Sequence, residues 1–466
     1  MQRRRSLSPS VPAPALAILT AALVACSTTP DAGRPSQRPL GDSLRSYRAP
    51  TKPDLSEPAS VPAADSVTAQ PGDSVALREA LSLALVRNPE LRSYAHEMRA
   101  REARTLQAGL WPNPGLGFEL DEFGGTGELA GVENSERRVT LSQRFPLGGD
   151  VGAREGAARL NRDRAGWDYE AARLDVFTEV TKRYVELVAA QRRIELADSL
   201  LSLSERFYES VRAQVETGEV SPLEEKRARI VLSNARIERE RAVRQRRAAR
   251  RSLAATWGEP DPTFRGAAGR LDSVAPIPDR DTLVALLDRN PDLARWETET
   301  AYRRQVVELE EARRIPDPTL RLGGVEFGGR GERAFVAGIE WPLPLFDRNQ
   351  GAIQEARFRV RRARSRRAEA IVSFRDSLSA AYERLATAHR EARTLGRAAL
   401  PAARETFRGV QEGYERGKFD LLRVLDARRT LVETANQYLD ALAAYHRTRA
   451  EVERLLGGPL PEPGEE

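Results

Sequence analysis

The chain has 466 residues, of which 30% are charged and 6% aromatic, and its formal net charge is +6. A composition rich in Arg, Glu, Ala and Leu is typical of long helices and not of two or three compact globular domains. Outside the basic N-terminus the arginines alternate with glutamates along helical stretches, which indicates solvated helix faces and argues against a nucleic-acid surface.

Residues 1–25 have the pattern of an export signal that is removed. Three arginines are followed by an apolar stretch from Val11 to Ala25, which is too short for a membrane-spanning helix. Cys26 then follows Leu23-Val24-Ala25, and this tetrapeptide resembles the lipobox at which bacterial lipoproteins are cleaved and acylated. An ordinary signal sequence with an incidental cysteine is the alternative.

Cys26 is the only cysteine, so an intrachain disulfide is excluded. Residues 26–74 are rich in Pro, Ser, Ala and Asp with little periodicity, and we predict a disordered tether there.

The rest of the chain is a duplication. Glu122-Phe123-Gly124-Gly125 returns as Glu326-Phe327-Gly328-Gly329, and Arg87-Asn88-Pro89 returns as Arg289-Asn290-Pro291. A period of roughly 200 residues is too long for a solenoid repeat and indicates two equivalent halves. We predict a first repeat at 75–260, an inter-repeat linker at 261–280, a second repeat at 281–458 and a C-terminal tail at 459–466.

Each repeat has a pair of strands. From Gly115 to Phe123 the apolar residues alternate with glycines and acids, and a partner strand begins near Arg138. The second repeat has the same pattern before and after Glu326-Phe327-Gly328-Gly329.

Apolar residues alternating with charged ones fit a barrel wall between lipid and a wet lumen, with Trp111, Phe145, Trp341 and Phe346 placed as an aromatic girdle at the strand ends. Four strands are too few to close a membrane barrel, so this interpretation requires an oligomer. A small soluble sheet packed on helices is the alternative.

Two very long helical hairpins follow the strand pairs. Runs at 156–216 and 353–415 lack proline except for Pro401, which we expect to kink the second run. Their turns contain Gly218 and Gly417, which favour a left-handed turn, and return helices begin at Leu223 and Leu421. Narrow apolar stripes indicate helices that pack on two neighbours in a wall.

The combined pattern resembles the TolC family of outer-membrane efflux proteins. Four motifs resemble its CzcC-like branch, which is associated with cobalt-zinc-cadmium resistance: Trp111-Pro112-Asn113-Pro114, Glu122-Phe123-Gly124-Gly125, Thr140-Leu141-Ser142-Gln143 and Leu147-Gly148-Gly149. The resemblance implies a mainly α fold with membrane β structure: a homotrimer in which long helical hairpins form an α-barrel, and four strands per chain contribute to one shared twelve-stranded β-barrel.

The resemblance also implies a function. The protein would be a passive exit duct in the outer membrane and periplasm, joined through a periplasmic adaptor to an inner-membrane transporter of the resistance-nodulation-division type that moves heavy-metal cations. It implies no enzyme and no cofactor. The three histidines, His96, His389 and His446, show no spacing of a metal site, and we expect substrate choice to lie upstream.

In the family the tunnel narrows at the helical tips, where acidic side chains line the aperture. The residues that match are Glu224 after Gly218 and Asp426 after Gly417. Where well-known members have a further aspartate, this chain has Arg423. This change allows an ion pair between Arg423 and Asp426, either within a subunit or between neighbouring subunits. Ordinary solvated surface charge is the alternative role for Glu224, Arg423 and Asp426.

Two other functions fit parts of the sequence. The same fold can serve as a duct for drugs or for type I protein secretion. A periplasmic adaptor or another coiled-coil scaffold lipoprotein could also carry a lipobox and long helices, but it would not be expected to duplicate a strand pair. We find no spaced catalytic motif.

Overall fold

The computed structural model describes residues 73–461. The predicted signal peptide, Cys26 and nearly all of the predicted tether lie outside the described residues. The helices, in chain order, are α1 (Leu77–Arg87), α2 (Pro89–Gly109), α3 (Asp150–Glu216), α4 (Pro222–Ala255), α5 (Arg280–Ala285), α6 (Pro291–Ala312), α7 (Gln350–Thr394), α8 (Leu400–Glu415) and α9 (Leu421–Leu456). The strands are β1 (Ser74–Ala76), β2 (Gly115–Asp121), β3 (Glu136–Arg144), β4 (Gly266–Ala268), β5 (Thr319–Phe327) and β6 (Glu332–Glu340).

The two predicted strand pairs form one antiparallel sheet in the order β2-β3-β5-β6. The seam between the repeats is the pairing of β3 with β5, which runs from Glu136 opposite Phe327 to Arg144 opposite Thr319. Beyond the strands, the Phe145 amide still donates to the Pro318 carbonyl at 2.9 Å. The outer edges of β2 and β6 have no partner strand within the described chain.

One face of this sheet is apolar and open. Leu116 lies opposite Leu141, which lies opposite Leu322, and a second row ends at Phe335. Phe335 is 99% exposed and Leu116 is 79% exposed. Side chains of this size are rarely left uncovered in a contiguous row by a soluble sheet, so the face is suited to contact with lipid.

The other face is polar. Arg138 lies 3.1 Å from a carboxylate oxygen of Glu119 and also pairs with Glu136 on its own strand. Near the helical end, Arg321 of β5 pairs with Glu340 of β6 at 2.5 Å. The alternation predicted from the sequence therefore separates an apolar face from a charged one over the part of the sheet next to the helices. At the opposite end, Arg137, Glu326 and Arg333 form a charged row on the apolar face.

The long helices follow the strands directly. α3 extends over 67 residues, or about 100 Å at the usual rise of an α-helix, and α4 returns along it. Its buried positions are mostly small, and they include Val180, Leu187 and Ala189. Small buried residues let neighbouring helices approach closely while the remaining surface stays polar. None of the described helices is both long enough and apolar enough to cross a bilayer.

The second hairpin differs from our expectation at Pro401. The outgoing run contains a π-helical turn at Leu395–Ala399 between α7 and α8, and Pro401 follows as the second residue of α8. Because proline has no N–H, it interrupts the regular hydrogen-bond ladder, and a wider turn just before it accommodates the missing donor. The irregularity therefore lies ahead of the proline.

The inter-repeat segment is more structured than a linker. β4 pairs in parallel with β1, so that Val75 lies opposite Ala267. Phe264 is fully buried there against Trp257, with ring centroids 5.9 Å apart. Ser74, which was assigned to the tether, is the first residue of β1, and Leu460, which was assigned to the tail, packs in the core of the second repeat.

The repeated Arg-Asn-Pro motif is explained by a clamp between helix ends. Asn88 accepts a hydrogen bond from the Leu91 amide at 3.0 Å and donates one to the Thr256 carbonyl at 2.7 Å. Its side chain thus caps the start of α2 and the end of α4 together. Both groups would otherwise be unsatisfied helix termini.

Asn290 makes the same clamp in the second repeat. It accepts from the Asp292 amide at 2.8 Å and donates to the carbonyls of Arg454 and Leu455, both at 2.9 Å. Gly457 follows in a left-handed conformation, and a Cβ there would lie 3.1 Å from the Arg289 carbonyl oxygen. The asparagine and the glycine therefore both belong to the contact between the start of one helix and the end of another. This contact accounts for the recurrence of both residues in the two repeats.

We predict that Asn88→Ala and Asn290→Ala each lower the midpoint of thermal unfolding in detergent. Each change removes a helix cap and leaves a carbonyl of a returning helix unpaired, at a cost of about 1–2 kcal/mol. Asn436→Ala, at an exposed position on α9, is the matched control. A midpoint equal to that of the control would show that the clamps do not hold the helix ends.

Candidate aperture at the helical tips

The first tip is a tight turn between α3 and α4. Gly218 has φ 80° and donates its amide to the Val215 carbonyl at 3.1 Å. Ser221 caps α4 by accepting from the Leu223 amide at 3.2 Å, and Pro222 occupies the first helical position. Glycine is needed here because other residues rarely adopt a positive φ.

The second tip, between α8 and α9, also combines a glycine turn with a capped helix, but an aromatic ring packs inside it. Gly417 has φ 71°, and Asp420 caps α9 by accepting from the Arg423 amide at 3.0 Å. The Phe419 ring packs against Gly413, where any Cβ would overlap it. The Arg423 guanidinium lies over this ring, 5.4 Å from its centroid.

An apolar cluster joins the two tips within the chain. It contains Val211 and Ala228 from the first hairpin and Phe407, Tyr414, Leu421, Val424 and Ala427 from the second. The rings of Phe207 and Tyr414 lie 6.0 Å apart across the junction. The tip residues of one chain therefore move as one packed unit unless this cluster opens.

Tyr414 places a polar link inside this cluster. Its hydroxyl donates to the Gln214 side-chain oxygen of α3 at 2.9 Å. Burial, and secondly the nearby Glu224 carboxylate, raise the pKa of Tyr414. One oxygen of Glu224 is buried without a hydrogen-bond partner among the described residues. Glu224 is thus a half-buried carboxylate at the junction of the hairpins and not an ordinary surface charge.

Glu225, the next residue, was not singled out from the sequence. It accepts hydrogen bonds from Arg229 at 2.7 Å and from the Tyr208 hydroxyl at 3.0 Å. These bonds, that of Arg229 first, lower the pKa of Glu225 and keep it charged. The spacing of Glu225 and Arg229 on one helix signals the pair in the sequence, whereas Tyr208 on the opposite helix could not be found that way.

Arg423 and Asp426 lie on the exposed side of α9. The ion pair that these two residues allow does not form within the chain: among the described residues no ion pair joins any two of Glu224, Arg423 and Asp426. A pair between neighbouring subunits stays a prediction. Arg423 instead covers the Phe419 ring. A cation over an aromatic face is a favourable alternative to an exposed ion pair, because exposed pairs contribute little.

Arg428 lies on the second turn of α9, on the side that faces α3. Its Nη2 donates to the Ser204 hydroxyl at 2.9 Å, and its buried Nε has no partner among the described residues. Burial lowers the pKa of Arg428. In the described part of the chain, no group of three or more His, Cys, Asp or Glu side chains is arranged to hold a metal ion.

Comparison with known proteins decides the family. The family model described as "Outer membrane efflux protein" matches residues 80–259 and again residues 282–458. The chain belongs to the outer membrane efflux protein family. This membership confirms the resemblance to TolC-like proteins, and the protein is an outer-membrane efflux channel.

Individual family members are also similar. The cobalt-zinc-cadmium resistance protein CzcC of Cupriavidus metallidurans is 31% identical over 383 residues, which cover 82% of this chain and 90% of CzcC. The nickel and cobalt resistance protein CnrC of the same organism is 27% identical, with 65% of this chain and 72% of CnrC covered.

Solved channel structures share the fold. The crystal structure of CusC has a TM-score of 0.69 at 19% identity and covers 82% of this chain and 92% of that one. A membrane protein from Pseudomonas aeruginosa has the same TM-score at 23% identity and covers 84% of this chain and 92% of its own. The predicted fold, a mainly α TolC-like channel with a small number of membrane strands, is confirmed.

We predict that Asp426→Lys changes the single-channel conductance of the efflux channel in planar bilayers and weakens its block by divalent cations. Reversing an exposed charge at a constriction alters the local concentration of cations. Glu433→Lys is the matched control, because it also reverses an acidic charge on the same exposed face of α9, two turns farther from the tip than Asp426. Equal effects of the two substitutions would remove Asp426 from the aperture.

Proposed function

We propose that this efflux channel is the outer-membrane exit duct of a tripartite system that exports divalent heavy-metal cations. The observation that supports this substrate class most directly is the similarity to CzcC over 90% of that protein's length. The duct is passive. A periplasmic adaptor meets the helical tips, and an inner-membrane transporter of the resistance-nodulation-division type supplies the energy.

The channel functions as a homotrimer. An apolar sheet face requires lipid around it, and in lipid every strand edge must be paired. β2 and β6 each leave one edge unpaired within the chain. Within the chain, β3 of the first repeat pairs antiparallel with β5 of the second. If β6 of one copy pairs in the same way with β2 of the next copy, the sheet continues around a closed ring of three chains.

Acylation at Cys26 adds a lipid anchor in the outer membrane, and residues 26–74 connect this anchor to the repeats. The aperture lies at the helical tips, with Glu224 at the junction of the hairpins and Arg423 and Asp426 on the exposed side of α9. Gly218 and Gly417 shape the two turns on which these side chains are held.

We predict that disruption of the gene lowers resistance to zinc, cobalt and cadmium several-fold and leaves sensitivity to hydrophobic antibiotics unchanged. The measurement is growth inhibition across these metals, copper and several antibiotics, with complementation by the intact gene as the control. Sensitisation to antibiotics alone would indicate a drug duct. Retention of a secreted protein in the cell, with metal resistance unchanged, would indicate type I secretion.

We predict that Leu116→Cys combined with Ile339→Cys gives trimers with a short bismaleimide. In the internal seam Gln143 lies opposite Leu320. The repeated motifs map Gln143 onto Ile339 and Leu320 onto Leu116, so these two edge residues should lie opposite each other between copies.

Each single variant, and the pair Leu116→Cys with Ile237→Cys, are the controls for this cross-linking. Ile237 is also exposed but lies on α4, far along the helical hairpin from the sheet. Linkage of the mismatched pair at the same yield, or no linkage of the matched pair, would contradict the proposed arrangement of strands.

A further inference from the structure

A cleft lies where the helices meet the sheet, and neither the channel function nor the aperture uses it. It has a volume of about 790 Å³ and lies between α2, α3 and α6. Leu110 and Trp111 line it at the end next to β2, and Tyr302 lines it on α6. It is thus placed beside the last residues of the membrane sheet.

The charged side chains that line the cleft are all arginines. They are Arg104, Arg154 and Arg313, and no carboxylate is among the lining residues. Arg313 donates to Glu310 at 2.8 Å, outside the lining. Arg104, by contrast, is exposed and makes no ion pair among the described residues. The cleft therefore contains guanidinium N–H groups that can donate hydrogen bonds to a ligand.

Arg154 is held in place by contacts with the end of α2. Its Nε donates to the Ala108 carbonyl at 2.7 Å and one Nη to the Leu110 carbonyl at 3.0 Å, which satisfies the end of α2. The remaining Nη lies 3.6 Å from Asp150. This arrangement leaves Arg104 and Arg313, from two different helices, as the side chains that can turn toward a ligand.

The cleft is on the same side of the sheet as the apolar face. The Trp111 ring contacts the Phe145 ring edge-to-face, with centroids 6.4 Å apart. Phe145 continues the row of Val139 and Leu141 on the apolar face, since these residues alternate along β3 and its extension. A molecule whose hydrocarbon chains cover Leu141 would therefore place its polar end at Trp111 and the arginines.

We propose that this cleft binds the phosphate headgroup of an anionic phospholipid whose acyl chains lie on the apolar face of the sheet. Guanidinium groups match the geometry of phosphate oxygens, and basic pockets next to apolar membrane surfaces bind anionic headgroups. The aromatic ring of Trp111 is suited to the boundary between the two parts of the lipid. This inference goes beyond the export function and does not depend on which solute is transported.

The test is a titration of the purified channel in detergent with phosphatidylglycerol and with phosphatidylcholine, followed by native mass spectrometry. The variant Arg104→Gln/Arg313→Gln should bind phosphatidylglycerol at least about tenfold more weakly, because two charges near the headgroup are lost. Arg99→Gln/Arg314→Gln is the matched control: it removes two exposed arginines outside the cleft, one from α2 and one from the turn that follows α6. Thermal unfolding of both double variants should match that of the parent.

Three results would overturn the proposal. The first is equal binding of phosphatidylcholine and phosphatidylglycerol by the parent. The second is an equal loss of binding in the control variant. The third is displacement of phosphatidylglycerol by inorganic phosphate alone at comparable concentration, which would indicate a site for the free ion.

A second measurement keeps the proposal testable if the arginine variants unfold. Brominated phosphatidylglycerol should quench the tryptophan fluorescence of the parent channel more than that of Trp111→Phe. Equal quenching in both proteins would place the lipid elsewhere. Neither experiment involves metal resistance, so failure of the lipid site and failure of the export function are distinguishable.

Discussion

The hydrogen-bonding demand of strand edges is the constraint on which the rest of this structure depends. An apolar sheet face of this size is suited to lipid, and in lipid an unpaired edge is costly. The chain pairs its strands in three ladders, of which that between β3 and β5 joins the two repeats, and it leaves one edge of β2 and one edge of β6 unpaired. α2 and α6 end, and α3 and α7 begin, close to a strand of this sheet, so the order of the strands fixes the order of these four helices below them.

The two repeats build equivalent elements, and some of their contacts recur in both. Asn88 and Asn290 clamp equivalent helix ends, and Gly258 and Gly457 follow those ends with φ 79° and 76°. The equivalence fails at the seam. Asp317 accepts from Arg144 at 3.1 Å, whereas Asn113, its counterpart in the first repeat, has no carboxylate to offer a neighbouring copy. In the proposed trimer, the seam between chains would therefore differ in charge from the seam inside the chain, even though the backbone relation is the same.

Most of the fold was readable from the sequence because its signals are local and repeated. Strand alternation, glycine turns and long helical periodicity each predicted an element that the structure contains. The parallel pairing of β1 with β4 was not predictable, since three-residue strands so far apart carry no periodic signal. Burial of Phe264 and Leu460 in segments read as linker and tail was missed for the same reason. The π-helical turn before Pro401 depends on how the backbone carbonyls that lose a proline N–H partner are accommodated, and this cannot be predicted from the sequence.

The candidate aperture shows why residue roles were harder to predict than positions. Glu224 and Asp426 both lie near the tips, but tertiary packing gives them opposite environments: Glu224 lies beside Tyr414 with one oxygen buried, and Asp426 is exposed. The Phe419 ring holds the Arg423 guanidinium, and Gly413 makes room for that ring. A ring contact leaves the positive charge in place, one helical turn from Asp426, so both charges act on the field at this tip although they form no ion pair within the described chain. Arg423 therefore affects the electrostatics of the tip through its charge and not through a direct bond to the acid.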